Sequence, residues 1–447
     1  MSIDEATLRP RVEAVLPRAH QDLEDLIRIE SVSSLPEKAD EVRRSAEKVA
    51  SLLIELGCPD VKVVAEGGHP AVIAHFPAPE GQPTICLYSH HDVQPTGDVS
   101  LWTTPPFEPT VRDGRLYARG ANDDKAGVAV HLAALRAFDG KPPVGVTLFI
   151  EGEEEIGSPS LGRLIEKYHD ELVSDVFVIC DATNWKAGQP SFTTTLRGIC
   201  DCVVELRTID HALHSGGFGG VVPDALTSMC RLLATLHDEK GNVAVEGLKS
   251  REPHALTYDE DQLRADTGLL DGVEWIGDGS AVDRLWTKPS VSVLAIDSTS
   301  VENASNTLAP SARAKVSLRV APGDDADNAL DALVRHLEAN APWGAQVTVS
   351  KGETGNPGIV PFDGPIAELA RTAFRAAWNG TEPVTVGCGG SIPMISDFQE
   401  AFPAAEVLVT AVADPDGRPH GIDESQDIAD FEKACLAEAL LLAGLAR

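Results

Sequence analysis

Residues 144–158 read VGVTLFIEGEEEIGS. Val144 to Ile150 is a β-branched and aromatic run of the length of a buried strand. It passes directly into Glu151, Gly152 and three further acids, Glu153, Glu154 and Glu155, and Gly157 with Ser158 opens an expected helix. Carboxylates gathered at the carboxyl end of a buried strand repel one another and lose hydration, so they need a compensating charge. A divalent cation supplies it, since hard cations and zinc both accept carboxylate oxygen. A solvated acidic turn is the plain alternative, and the rest of the chain must choose between the two.

Working outward, helical spacing of apolar residues marks Arg11 to Ile29 and Glu37 to Leu56, the second ending at Gly57. Val61–Ala65, Ala71–Phe76 and Thr84–Ser89 read as strands. A Pro-rich connection from Trp102 to Tyr117 leads to a helix over Asp124–Phe138. Beyond the acidic stretch come a helix over Ser160–His169 and a strand over Val176–Cys180. Strands alternating with helices predict a mainly parallel sheet covered on both faces, with ligands at the carboxyl ends of its strands. From Phe192 the order changes. Strand Phe192–Arg207, helix Val222–Leu236, strands Pro289–Ile296 and Ala312–Val320, helix Asp325–Ala339 and strand Ala345–Lys351 make βαββαβ, the ferredoxin-like α+β order. An acidic stretch near 239–288 interrupts it. After Pro361 the first style resumes, with helix Pro365–Trp378, strand Glu406–Val412 and helix Ser425–Leu445. The expected organisation is an α/β domain over 1–187 and 360–447, interrupted by a smaller α+β domain over 188–359.

The 447 residues, 43% hydrophobic and 24% charged, are those of an ordinary globular chain with room for two cores. Lys plus Arg minus Asp plus Glu is 37 − 69 = −32, a field that disfavours nucleic acid and anionic membrane as partners. The eight cysteines form no CxxC and no framework spacing, which predicts buried thiols in a reducing compartment. With no signal-peptide core and no apolar run of spanning length, the expected location is cytoplasmic.

Four other stretches place metal-ligand residue types at strand ends or just beyond them. In Tyr88-Ser89-His90-His91-Asp92, alternate side chains of an extended chain share a face, so His90 and Asp92 point together and His91 points away. A carboxylate beside an imidazole fixes its tautomer and orientation, which suits Asp92 to backing a metal-bound His90. In Gly120-Ala121-Asn122-Asp123-Asp124-Lys125 one acid serves as a helix cap, and two adjacent acids exceed that need. Cys180-Asp181 ends an apolar strand, where a bare carboxylate is costly. Arg418-Pro419-His420-Gly421 lies in a loop before the last helix. Each alone has an ordinary reading as a core histidine, a cap or a turn. Together with the acidic stretch they bring two histidines and three or four carboxylates from five strand ends, a donor set that suits two metals with mixed N and O ligands.

The motifs YSHHDVQP, LYARGANDDKAG, FIEGEEEIGS, VICDATNW, HALHSGGFGG, GGSIP and RPHGIDES, in that order, resemble those of the co-catalytic zinc metallopeptidases. That family includes aminoacylase, acetylornithine deacetylase, glutamate carboxypeptidases and carnosinase-type dipeptidases. The Asp-Asp-Lys form with DVQP is most similar to the dipeptidase branch, since deacylases usually show Asp-Met-Lys. The resemblance implies a zinc exopeptidase-like fold whose inserted domain forms a homodimer. It implies Asp123 as the bridge between two metals, with His90 and Asp181 completing one site and Glu155 and His420 the other. Glu154 would be the general base, Asp92 would serve catalysis by orienting His90, and Glu153 would be solvated or outside the ligands. His214 would reach a partner subunit's site to stabilise the oxyanion, although a Gly-rich turn with an incidental histidine is the plain reading of HSGG. Arg319, Asn306 and the loop Gly389-Gly390-Ser391-Ile392 would hold the substrate, Gly390 and Ser391 gripping a free carboxylate. The pattern departs at Asn306-Thr307-Leu308-Ala309-Pro310, where the proline stands one residue late, and at Val360-Pro361-Phe362-Asp363, which lacks a histidine found in some relatives.

The expected activity is cleavage of short peptides with a free C-terminal carboxylate by two divalent ions, zinc by default, with manganese or cobalt suiting the same donors. Three alternatives stand beside it: an N-acyl-amino-acid deacylase or carbamoylase, a metal-binding dimer without catalysis, and a two-metal phosphoesterase. Glu154 weighs against an inactive dimer, and the scarcity of cations in the motifs weighs against phosphate.

Overall fold

The computed structural model describes residues 5–252, 254–390 and 393–446. Two compact units are present. One comprises the residues up to Thr194, Val360–Val386 and those from Pro393 on; the other comprises Thr195–Ile359 with the short segment from Gly387.

In the first unit the strands lie in the spatial order Asp60–Val64, Ala71–Phe76, Gly145–Glu151, Thr84–His90, Val176–Thr183, Glu406–Ala413 and Ser191–Leu196. The four from Gly145–Glu151 to Glu406–Ala413 run parallel, and the pairings at both edges are antiparallel. Parallel strands are covered on both faces, which is why Gly145–Glu151 is buried at all seven positions. Alternation divides the sheet's side chains between two cores. Ile85, Leu87, Val146, Leu148 and Val178 join the core made with helices Glu5–Ile27, Lys125–Arg136, Pro365–Ala377 and Ile428–Leu445. Tyr88, Phe149 and Phe177 point the other way and pack against Phe398 of helix Pro393–Ala401, with ring centroids 4.9 to 6.0 Å apart. The register pairs His90 with Glu151, so two of the motifs end side by side. Leu148, 1% exposed, holds the strand that carries the acidic stretch. Leu148→Ala is expected to cost about 2–5 kcal/mol, read as a fall in the thermal midpoint.

The second unit has a four-stranded antiparallel sheet in the order Ser290–Asp297, Ser311–Val320, Gly198–Arg207, Gln346–Gly355. Helices Ala225–Ala234 and Ala326–Ala339 contribute to its apolar core. This is the ferredoxin-like order expected from βαββαβ. Within the acidic stretch a short helix, Glu260–Thr267, is capped by Asp259, whose side chain accepts from Gln262 N.

Several boundaries differ from the sequence reading. Phe192–Arg207 is two strands, Ser191–Leu196 and Gly198–Arg207, lying in different sheets. The break falls at Gly198, where a Cβ would lie 2.5 Å from Gly355 O and 2.6 Å from Pro357 N. The Pro-rich connection holds a small hairpin, Thr110–Arg112 with Arg115–Tyr117, joined by Ser425–Asp427. The last helix therefore starts at Ile428, after that strand rather than at Ser425. Gly157 opens no helix: at φ +81 it closes a 3-10 turn over Glu154–Ile156, and the helix begins at Leu161. Among the described residues no helix is long and apolar enough to cross a membrane.

Candidate dinuclear metal centre

His90 ends its strand fully buried. Its Nε2 lies 3.0 Å from Asp123 Oδ1 and 3.7 Å from Asp181 Oδ1. Its Nδ1 donates to the backbone oxygen of Asp92 at 3.0 Å, with the Asp92 carboxylate at 3.3 Å. That contact orients the ring and leaves Nε2 for coordination. His91 points away, as alternation requires, with Nε2 2.9 Å from Pro70 O. Burial takes its pKa down to about 4, so it stays neutral at physiological pH.

The adjacent acids divide two tasks. Asp124 accepts from Gly127 N and from His90 N, each at 3.2 Å, and so caps helix Lys125–Arg136. Asp123 is left over and spans both imidazoles, with Oδ1 toward His90 and Oδ2 3.0 Å from His420 Nε2. Lys125 is buried behind them, donating to Leu26 O and Ile29 O at 2.9 and 2.7 Å.

Across the site, Glu155 Oε2 is 3.2 Å from His420 Nε2, and Gln94 donates to Glu155 through its backbone N at 3.0 Å and its amide at 2.8 Å. Gly152 turns the chain here because a Cβ would lie 2.8 Å from the His91 ring. Glu153 is buried, not solvated: it accepts from His69 N at 2.7 Å and Ser160 N at 3.1 Å, serving the local fold. No hydrogen bond ties Glu154 to another described side chain, and its carboxylate faces the other acids. The donor atoms of His90, Glu154 and Asp181 lie within 4.8 Å of one another, as do those of His90, Asp123 and Glu155.

The electrostatics record the crowding. Burial, then the charge of Asp181, pushes Glu154 up to about 9; burial also lifts Asp181 to about 6. Burial lifts Asp123 too, but hydrogen bonds from His420 and His90 outweigh it and hold Asp123 below the carboxylate range. Hydrogen bonds to Asp123 and Glu155 raise His420 to about 10. At His90 burial opposes the charged form, but Asp181 and Asp123 outweigh it and raise the pKa well above the usual imidazole value. Both imidazoles thus favour the charged form among four carboxylates, and a pair of divalent ions fits the same donors better: neutral imidazole and ionised carboxylate are the forms that bind metal.

His420 sits on a loop where Arg418, His420 and Asp423 all have left-handed backbone, at φ 53, 62 and 57. Non-glycine residues at such φ cost of order 1–3 kcal/mol each and persist only where their surroundings hold them. Thr103 holds Asp423, and at His420 the holding is done by Arg119, itself paired with Glu424. Nothing in the spacing of the motifs marked Arg119 or Glu424, although both lie inside quoted stretches. Gln94 was missed in the same way.

The remaining expected residues lie in the second unit. His214 is exposed, and its Nδ1 accepts from Gly217 N at 3.2 Å. Strand Leu213–His214 pairs with Thr307–Leu308, and Ser215 N donates to Asn306 O at 2.9 Å, so His214 and Asn306 are neighbours. Arg319 is half-buried near the end of strand Ser311–Val320, opposite Ser290 and Ile199. Among the described residues, a Cβ on Gly390 would meet only Cys388 Sγ, at 3.8 Å. Ser391 lies outside the described residues.

A mainly parallel sheet that gathers two imidazoles and four carboxylates at strand ends defines an α/β metallohydrolase. The chain belongs to peptidase family M20/M25/M40, whose profile matches residues 86–443. A cysteinylglycine-S-conjugate dipeptidase of Corynebacterium striatum is 36% identical over 437 residues, 95% of each chain. A Beta-Ala-His dipeptidase of Homo sapiens is 30% identical over 403 residues, 85% of this chain and 78% of its own. Of solved structures, human carnosine dipeptidase 1 matches with a TM-score of 0.79 at 26% identity, over 99% of this chain and 100% of its own. The dipeptidase Dug1p of Saccharomyces cerevisiae shares the fold, with a TM-score of 0.83 at 24% identity over 100% and 99% of the two chains.

Proposed function

We propose that this protein hydrolyses the peptide bond of dipeptides or short peptides with a free C-terminal carboxylate, using two divalent ions. The observation that carries the reading is the meeting of His90, Asp123, Glu154, Glu155, Asp181 and His420, drawn from five chain segments, in overlapping donor groups. The names of the dipeptidase relatives support the substrate class. Asp123 would be shared by the ions, His90 and Asp181 would hold one, and Glu155 and His420 the other. Zinc is the default, with manganese and cobalt as substitutes. Bound ions would lower the pKa of a water and polarise the scissile carbonyl.

The chain's own groups do the rest. Glu154, whose carboxylate has no hydrogen-bond partner among the described side chains, accepts the proton of the attacking water and passes it to the leaving amine. Asp92 holds the His90 ring. Arg319 and Gly390, with Ser391, would receive the substrate carboxylate. His214 and Asn306 would serve the oxyanion in the other copy of a homodimer. The dimer reading is supported by strand Ser290–Asp297, an edge strand on which Val293, Leu294 and Ile296 are 41%, 59% and 40% exposed. A cytoplasmic location is supported by Cys58, Cys86, Cys180, Cys200, Cys202 and Cys435, buried thiols without disulfides.

The deciding experiment is metal analysis beside a panel of dipeptides and their N-acetyl derivatives. Turnover confined to free dipeptides supports the proposal, and turnover confined to acylated amino acids replaces it with a deacylase. His214→Ala is expected to lower turnover while leaving two ions bound. Loss of an ion in that variant would instead make His214 a ligand.

A further inference from the structure

Arg119 and Glu424 are 1% and 0% exposed and take part in none of the steps above. Arg119 Nη1 donates to Glu424 Oε2 at 2.6 Å. The other arm of the guanidinium, Nη2, donates to the backbone oxygens of Pro95, His420 and Gly421 at 3.1, 3.1 and 3.2 Å. Glu424 turns its remaining lone pairs to a different loop, accepting from the backbone N–H groups of Gly120, Asn122 and Asp123 at 3.1, 2.9 and 3.1 Å. One ion pair therefore grips the main chain of the loop bearing Asp123 and that of the loop bearing His420. A buried ion pair is a poor way to gain stability, because desolvation offsets the attraction and an apolar pair of similar volume serves as well. An apolar pair has no means of fixing six backbone groups, five of them from these two loops and one from Pro95, at hydrogen-bond distance. Arg119 also binds the carbonyl of His420 itself, the residue with left-handed backbone that bears the imidazole.

We propose that Arg119 and Glu424 are positioning residues for the metal pair: their ion pair presets the distance between Asp123 and His420 before any ion arrives. The proposal rests on reading those two residues as ligands. It accounts for two buried charges that the chemistry leaves unused, and it assigns them an effect on ion affinity rather than on the proton transfer.

The test uses the full chain, stripped with chelator and titrated with zinc against a chromophoric competitor. Arg119→Lys keeps the charge and loses the fork; Glu424→Gln keeps the shape and loses the anion. With far-UV circular dichroism unchanged, each variant is expected to bind one ion as the wild type does and the other about 10–100-fold more weakly, the usual effect of losing a group that orients a ligand. Turnover is expected to recover at high zinc, which general loss of structure would not produce. Two wild-type affinities in both folded variants would overturn the proposal. Hydrogen exchange on the unaltered chain gives a second reading that needs no variant. The amides of Gly120, Asn122 and Asp123 should be as protected in the stripped protein as in the zinc-loaded one, and protection that appears only with zinc would also overturn it. Asp123→Asn and His420→Gln serve as controls: if these bind two ions undiminished, the ligand reading itself is what fails.

Discussion

Glu154→Gln is expected to retain two ions and the native melting curve while turnover falls by about 10²–10⁴, the usual size of a general acid–base contribution. Glu154 stands on the 3-10 turn next to Glu155, yet only Glu155 is tied down, by Gln94 and by His420. The neighbouring acids are each claimed: Asp124 by its cap, Glu153 by His69 and Ser160, Asp123 by two imidazoles. That leaves Glu154 and Asp181, whose nearest imidazole nitrogen is 3.7 Å away, and with Asp181 read as a ligand Glu154 is the carboxylate free to take a proton. In the protein without ions, burial and Asp181 hold it protonated; cations among the same acids would reverse that repulsion and restore a base. The glutamine keeps the volume and removes the proton acceptor, so the expected signature is a fall in kcat at unchanged metal content. A variant with near-normal turnover would take Glu154 out of the proton transfer, and one that lost an ion would make it a ligand.

Asp123→Asn is expected to have the larger effect on binding, with loss of ion affinity beyond the roughly 10–100-fold typical of outer-sphere partners. Its two oxygens face different imidazoles, each at 3.0 Å, so a single amide nitrogen spoils the approach to both halves of the site. Turnover should fall with occupancy and should not return on adding zinc at concentrations that saturate the wild type. Thermal melting provides the second measurement. An ion present at 100 times its dissociation constant stabilises the folded chain by about 2.7 kcal/mol, so zinc should raise the wild-type midpoint and leave that of Asp123→Asn nearly unmoved. If the variant showed the full zinc-dependent rise, Asp123 would not be the shared ligand.

Much of this site was legible in one dimension because its chemistry is local. In GANDDKAG one acid is needed to cap a helix and one is left over, and the structure gives the cap to Asp124 and the surplus to the site. Period-two alternation separated His90 from His91, and they do face opposite ways. Helix Ala326–Ala339 and strand Ala71–Phe76 formed within a residue of where periodicity put them. The failures share a cause as well. Phe192–Arg207 reads as one strand because β-branched and apolar residues run through most of it, and the approach of Gly355 and Pro357 accompanies the change of sheet at Gly198. Glu153 looks like its acidic neighbours until His69 and Ser160 arrive to bury it.

Local composition was thus enough to place most of the sheet strands, and to show that one acid of the Asp123-Asp124 pair is surplus to capping. Tertiary structure alone decided that five such ends meet, and which buried groups hold them there. Arg119 and Glu424 are 305 positions apart, and neither has any reason to be where it is until the loops beside them close. Ligand identity is a property of single side chains and leaves its mark on the sequence. Ligand spacing is set by hydrogen bonds between distant backbones, and those exist only once the chain has folded.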